Sequence, residues 1–291
     1  MQTWLIFALT FAFLHALVAV FDRHILKSAK VDALALSAIR FSINAVVAYI
    51  FVLALAIPFS AFGINYLAIA LSLLYFLAAI TYFYALKAGE VSKLIPYRDA
   101  ISVSLSFFFA VILLSEKFLA IDFLGVVVIV LGGYIVWTDG KIIVPKKSAG
   151  MVLIAISAVF LALIGIVAKL GVGSMHPLML SLYMYVFVAI YFVLFSFATK
   201  RKQLIETINA IRSEKKLVRL IFAASIAAPI GVAFQFYALS MQNAAKVLPI
   251  SGTLPLFAAL IGWLALKEKH GVARVIGAIL LIMGIYILAI V

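Results

Sequence analysis

Tyr84-Ala85-Leu86-Lys87-Ala88-Gly89-Glu90-Val91-Ser92-Lys93-Leu94-Ile95-Pro96 returns later in the chain as Tyr237-Ala238-Leu239-Ser240-Met241-Gln242-Asn243-Ala244-Ala245-Lys246-Val247-Leu248-Pro249. Three features keep their places in both: the Tyr-Ala-Leu triplet, a lysine (Lys93, Lys246) and a proline (Pro96, Pro249). Downstream, after a slip of one residue, Glu116-Lys117 matches Glu268-Lys269. Gly125 then matches Gly277, Gly132 matches Gly284 and Tyr134 matches Tyr286. Apolar sequence produces chance matches easily, but paired charges and prolines in one order do not. The chain therefore contains an internal duplication.

Working outward, the repeated units lie in sequence built for lipid. Hydrophobic residues make up 68% of the 291 and charged residues 11%, with a mean hydropathy of +1.30. A soluble domain averages about 45–50% apolar and about 25% charged. A membrane-crossing helix needs about 20 apolar residues. Reading by that length gives ten spans: 2–21, 33–57, 64–86, 91–114, 119–138, 149–168, 177–199, 217–239, 245–266 and 271–290. The runs are continuously apolar, unlike the alternating strands of a β-barrel. The expected fold is an all-α membrane protein of ten transmembrane helices. It divides into a first five-helix repeat (1–138), a linker (139–148) and a second repeat (149–291). Five is odd, so the second repeat enters the membrane from the opposite side. Two inverted halves let one central site open alternately to either face.

Charge sets further bounds. The net charge is +13, yet the lysines and arginines sit between apolar segments, which suits positive-inside topology and not nucleic-acid binding. Loops 1, 3, 5, 7 and 9 hold most of them, which puts those loops in the cytoplasm of a plasma-membrane protein and both termini outside. The stretch 200–216 carries Lys200, Arg201, Lys202, Arg212, Lys215 and Lys216. With Leu204, Ile205, Ile208 and Ile211 at near-helical spacing it reads equally as an amphipathic surface helix or a basic loop. The N-terminus lacks the basic region and cleavage site of a signal peptide, so its first apolar run is expected to be a retained helix. There is no cysteine, and the four histidines have no metal-ligand spacing. Without a Walker loop or a nucleophile–base pair, neither a cofactor nor an enzyme activity is expected.

At these motifs the chain resembles the EamA-like permeases of the drug/metabolite transporter superfamily. Carrying the resemblance are Tyr-Ala-Leu, the short polar turn, the proline helix, Glu-Lys and the Gly-x6-Gly helix. Arg40 in the second span and a basic residue ending the first span of each half (Arg23, Lys169) add to it. It covers nearly the whole chain. Where many members carry a tryptophan eight residues before that basic residue, this chain has His15 and Leu161. The family proline of the fourth span is kept as Pro255 but is Ser102 in the first half. The resemblance implies both termini inside, opposite to the loop charges.

Ionisable residues within a span mark function by default. Arg98 and Asp99 lie about 12 Å along the fourth span. Asp99 shares a face with Ser92, Ser102 and Ser106, and is read as lining a cavity and taking a cationic group or a proton. Arg98 points elsewhere, toward an anionic group or the interface. His15 is mid-span in the first helix. Tyr75 and Tyr82, seven apart, share one face of the third span, and Gln235 and Tyr237 hold a corresponding zone of the eighth; such side chains suit an apolar or cationic solute. Packing explains each of these residues as well. Arg40 is read as structural. Pro96, Pro249 and Pro255 interrupt the fourth and ninth spans, and Glu116 and Glu268 serve as capping or gating contacts.

The expected function is a secondary carrier or facilitator for a small organic metabolite or drug-like solute, export of amino acids or related metabolites included. Its partners are that solute, membrane lipid and protons, and its state is a monomer or homodimer. The competing reading is a non-transporting structural or regulatory membrane subunit. A polar cavity between the halves containing Asp99 or His15 separates the two.

Overall fold

The computed structural model describes residues 2–26, 31–58, 65–88, 91–142, 148–266 and 272–290. Twelve helices run through them: α1 (Thr3–Leu26), α2 (Ala33–Ala54), α3 (Tyr66–Ala88), α4 (Val91–Leu113), α5 (Ala120–Thr138), α6 (Ala149–Ser174), α7 (Pro177–Thr199), α8 (Arg201–Ser213), α9 (Lys215–Met241), α10 (Ala244–Ser251), α11 (Leu254–Leu266) and α12 (Val272–Ile290). Among the described residues nine segments are long and apolar enough to cross a membrane, α10 and α11 together forming one. The 23-residue α4 is the tenth. In lipid every backbone polar group must be satisfied within its own segment, which a continuous helix does and an irregular chain does not.

Helix ends follow local chemistry. Asp32 caps α2, its Oδ1 accepting from Leu34 N at 3.0 Å and Ala35 N at 3.1 Å. Ser148 Oγ accepts from Met151 N at 3.3 Å to start α6, and Asp122 Oδ2 accepts from Leu119 N at 2.9 Å to start α5. The expected ninth span is broken at Gly252–Thr253, between α10 and α11. Pro249 lies inside α10 and Pro255 is the second residue of α11. The fourth span differs from expectation: α4 runs unbroken through Pro96. Pro96 is the sixth residue of α4, so the hydrogen bond it forfeits lies in the first turns, where the helix frays at little cost.

The packing maps onto itself when the halves are exchanged. Numbering the five spans of each half in order, α1 packs on α9 as α6 packs on α3. The α2–α7 and α5–α12 contacts each join equivalent helices, and α4 packs on α6 as the α10–α11 segment packs on α1. Most of the large helix contacts thus run between halves, the geometry of two inverted five-helix repeats. The core is aromatic at its centre, where Phe192 stacks on Phe41 at 5.3 Å and meets Phe76 at 5.0 Å. The outer faces of α5 and α12 present Leu124, Leu131, Ile276, Ile279, Ile282 and Met283 outward, as lipid-facing helices do.

The segment 200–216 forms α8 and the start of α9. Thr207 and Ala210 turn inward. Ala210 joins Ile25, Val31, Leu36, Leu217 and Ile221 in a small satellite core. Half of the amphipathic reading therefore holds: the segment is a helix, but its buried stripe rests on protein and only Ile205, 51% exposed, points fully away.

Candidate functional site

Two half-buried ion pairs lie within the first half. Arg40 on α2 binds both carboxylate oxygens of Asp22 on α1 through Nη1. Arg98 Nε and Nη2 donate to Asp99 Oδ1 at 3.2 and 3.1 Å on α4. The Arg98 guanidinium carbon lies 4.2 Å from the ring centroid of Tyr82 on α3, a cation–π contact that strengthens away from water. Tyr82 is in electrostatic reach of Arg98, Asp99 and Asp22, and Tyr75 of both Arg40 and Arg98. Each ring thus lies within electrostatic range of both pairs, and Tyr82 touches one of them. Arg40 stands seven residues from the start of α2 and Arg98 seven from the start of α4. Each is therefore about 10 Å along its helix, measured from the face that carries the basic loops.

The four formal charges cancel, as burial in a low dielectric demands. Arg98 and Asp99 are half-buried, their side chains keeping 21% and 23% of their accessible surface. Two nitrogens around the cluster, His15 Nδ1 and Arg40 Nε, are buried without a hydrogen-bond partner among the described residues. In an apolar interior such atoms cost several kcal/mol unless a polar visitor satisfies them. His15 is in electrostatic reach of Arg40 and its ring packs tilted against Phe11, centroids 4.1 Å apart. Gly231 on α9 makes room for it: a Cβ there would sit 3.0 Å from His15 Nδ1.

Of the residues singled out in the sequence, the structure thus gathers His15, Arg40, Tyr75, Tyr82, Arg98 and Asp99. Ser102, half-buried, follows Asp99 along α4, its carbonyl accepting from Ser106 Oγ at 2.7 Å. Gln235 is half-buried on α9, one turn past Gly231. Tyr237 is not part of the cluster; its hydroxyl lies 3.5 Å from His176 Nε2 near the C-terminal end of α9. Glu268 lies outside the described residues. The expectation that Arg98 points away from Asp99 fails because the long arginine stem folds back along the helix to its neighbour. Sequence reading missed four members. Asp22 falls one residue beyond the expected end of the first span, because α1 continues to Leu26. Tyr185, 2% exposed and in electrostatic reach of Tyr75 and Arg40, sits in an unbroken apolar run. Asn44 donates, with its amide oriented to suit its neighbours, to the Arg40 and Ser225 carbonyls at 3.0 and 3.2 Å. The Trp137 side chain lies against Asp99.

A second polar group closes the opposite end, at the α4–α5 turn. Glu116 Oε1 accepts from Ala244 N at 2.9 Å and Oε2 from Ala245 N at 2.8 Å, the first amides of α10. Lys169 Nζ donates to the Leu239 and Gln242 carbonyls at 2.7 and 2.8 Å, the end of α9. A carboxylate meets a helix N-terminus and an ammonium a C-terminus, each matching the helix dipole. Beside them Lys246 Nζ lies 3.5 Å from Asp122 Oδ1.

Comparison with known proteins agrees with this architecture. No curated protein matches the sequence significantly. Among solved structures 29 chains match. One, titled only as the crystal structure of a protein, superposes with a TM-score of 0.81 at 16% identity over 99% of this chain and 96% of its own. At that identity it speaks for the fold alone. The sequence matches the EamA-like transporter family over residues 2–138 and again over 148–290, one match to each half. The protein belongs to the EamA-like transporter family and is a multi-pass membrane transporter of the drug/metabolite type.

Proposed function

We propose that the chain is a secondary carrier or facilitator that moves a small organic solute by alternating access between its halves, residues 1–138 and 149–291, joined by the linker 139–148. The carrying observation is the charge-balanced, partly accessible cluster of Asp22, Arg40, Arg98 and Asp99 beneath one face of an inverted repeat. Asp99 receives the cationic group of the solute and Arg98 its anionic group, while Tyr75 and Tyr82 offer ring faces. His15, Ser102 and Gln235 line the same space, and Tyr237 stands toward the opposite mouth. A solute with both charges and little net charge suits this lining, which fits export of amino acids or related metabolites. The loop charges favour a cytoplasmic basic face.

The test is flux into proteoliposomes across a panel of amino acids, nucleosides and cationic drugs, with and without a pH gradient. Asp99→Asn removes a charge-assisted contact worth about 1.5–3 kcal/mol. It is expected to lower kcat/KM for the transported solute by roughly 10- to 100-fold with the protein still folded. Unchanged flux and pH dependence in that variant remove Asp99 from the site.

A further inference from the structure

We propose that the outer edge of α8, where Arg201, Ile205, Ile208 and Arg212 line up, is a binding surface for acidic phospholipid headgroups, with the acyl chains running down the exposed side of α7. Lys200 alone separates α7 from α8, and Glu214 alone separates α8 from α9. The inner side of α8 meets Ile25 near the end of α1, Leu36 near the start of α2, and Leu217 and Ile221 near the start of α9. These are span ends on one face. The 13-residue α8 therefore lies across them, at the level where the spans leave the bilayer.

Helical positions i, i+4, i+7 and i+11 share one side. Arg201, Ile205, Ile208 and Arg212 have that spacing, and all but the half-buried Ile208 are exposed. An apolar stripe with an arginine at each end suits a membrane interface. The basic run divides by direction. Lys200 turns inward to Asp32 at 2.6 Å, whereas the Arg201 guanidinium carbon lies 5.1 Å from the ring centroid of Phe197. Phe197 is 59% exposed and Leu194, one turn deeper in α7, is 63% exposed, surface that meets acyl chains in a membrane. A guanidinium set at the top of such a surface matches a phosphate with its chains below, since its fork of donors fits phosphate oxygens. Lys202, Lys215, Lys216 and Arg219 are exposed nearby, against the carboxylates of Glu206 and Glu214; Lys202 lies 4.0 Å from Glu206. A surplus of positive charge alone suits an acidic protein segment equally. The apolar surface of Phe197 and Leu194 beneath Arg201 favours the lipid.

The chain contains no cysteine, so Leu194→Cys carries a single bimane fluorophore beside the surface. Quenching by brominated phosphatidylglycerol against brominated phosphatidylcholine, in vesicles of the two lipids, reads their relative association there. The parent reporter is expected to favour phosphatidylglycerol roughly fivefold, the effect of about one arginine near an acidic surface. Arg201→Gln with Arg212→Gln brings the ratio to within about twofold of parity. Lys215→Gln with Lys216→Gln removes the same charge from the start of α9 and leaves the ratio near the parent's. If the arginine variant does not fold, Ile205→Asp, which sets a carboxylate in the stripe, carries the same expectation. A parent ratio near one overturns the lipid surface and leaves the charge to an acidic protein segment. An arginine variant that keeps the parent ratio, or a lysine variant that falls as far as the arginine one, overturns it too, the latter as diffuse attraction by the whole basic face.

Discussion

Asp32 shows how much one side chain does at a helix junction. Its Oδ1 caps α2, its Oδ2 accepts from Lys200 Nζ at 2.6 Å, and its backbone N–H donates to Thr207 Oγ1 at 3.1 Å. The α1–α2 corner is thereby pinned to α8. Burial pushes the Asp32 carboxyl up, but the Lys200 ammonium and the two capping amides outweigh it and hold the group below its usual value of 3.8. A depressed pKa means the stabilisation is complete above the ordinary carboxylate value and fades as pH falls through the lower folded-state value. Asp32→Asn keeps a capping side chain but loses the Lys200 ion pair; it is expected to cost up to about 1 kcal/mol at neutral pH, the difference from the parent narrowing below 3.8. Thermal unfolding against pH reads this directly, and a gap that stays constant into strong acid refutes it. At this scale the sequence showed which residues are anomalous in a membrane, such as Arg98, Asp99 and Arg40, because charge in lipid is costly. It did not show their partners. Asp22, four residues from the end of α1, meets Arg40 only because two helices cross there.

Among the elements, α5 and α12 carry the motif that the duplication copied. Gly132 and Gly277 face each other: a Cβ on Gly277 would lie 2.8 Å from Gly132 O, and one on Gly132 would lie 2.8 Å from Gly277 O. Gly284 meets Gly125 O at 2.9 Å in the same way. Helices in lipid gain little from hydrophobic association and rely on close backbone approach, which glycine permits. Even alanine at Gly277 must push the helices apart, because the obstructing atoms are backbone. Gly277→Ala is expected to destabilise by about 1–3 kcal/mol. Gly173→Ala in α6, where a Cβ meets nothing within 4 Å, is the control and is expected to be neutral or stabilising by about 0.5–1 kcal/mol. Equal melting shifts for the two, measured in detergent, defeat this account. The Gly-x6-Gly spacing was legible in sequence. Its role was not, since glycine spacing does not name the opposing helix. The break at Gly252–Thr253 was signalled by Pro249 and Pro255, whereas Pro96 signalled a break that α4 does not have.

For the molecule as a whole, ten crossings put both termini on one face, opposite the loops that carry most of the positive charge. The positive-inside rule makes a cytoplasmic basic face the expected orientation. A reporter active only in the cytoplasm is expected to be silent at the C-terminus and active when inserted between Lys215 and Lys216. Activity at the C-terminus reverses the orientation. Helix α8 of the second half thickens the basic face, where its satellite core ties α1, α2 and α9 together.

Composition, span length and the duplicated motif were enough to determine a membrane protein of ten helices in two inverted halves. These are local quantities: apolar length decides whether a segment crosses, and an odd number of crossings per repeat decides the inversion. The side-chain partners were decided only in the tertiary structure. They include, within the first half, the Asp22–Arg40 pair and Tyr82 against Arg98, and, between the halves, Glu116 on the amides of α10 and Asp122 against Lys246. Each joins residues on different elements whose spacing carries no period, so only the packing of one helix on another brings them within reach.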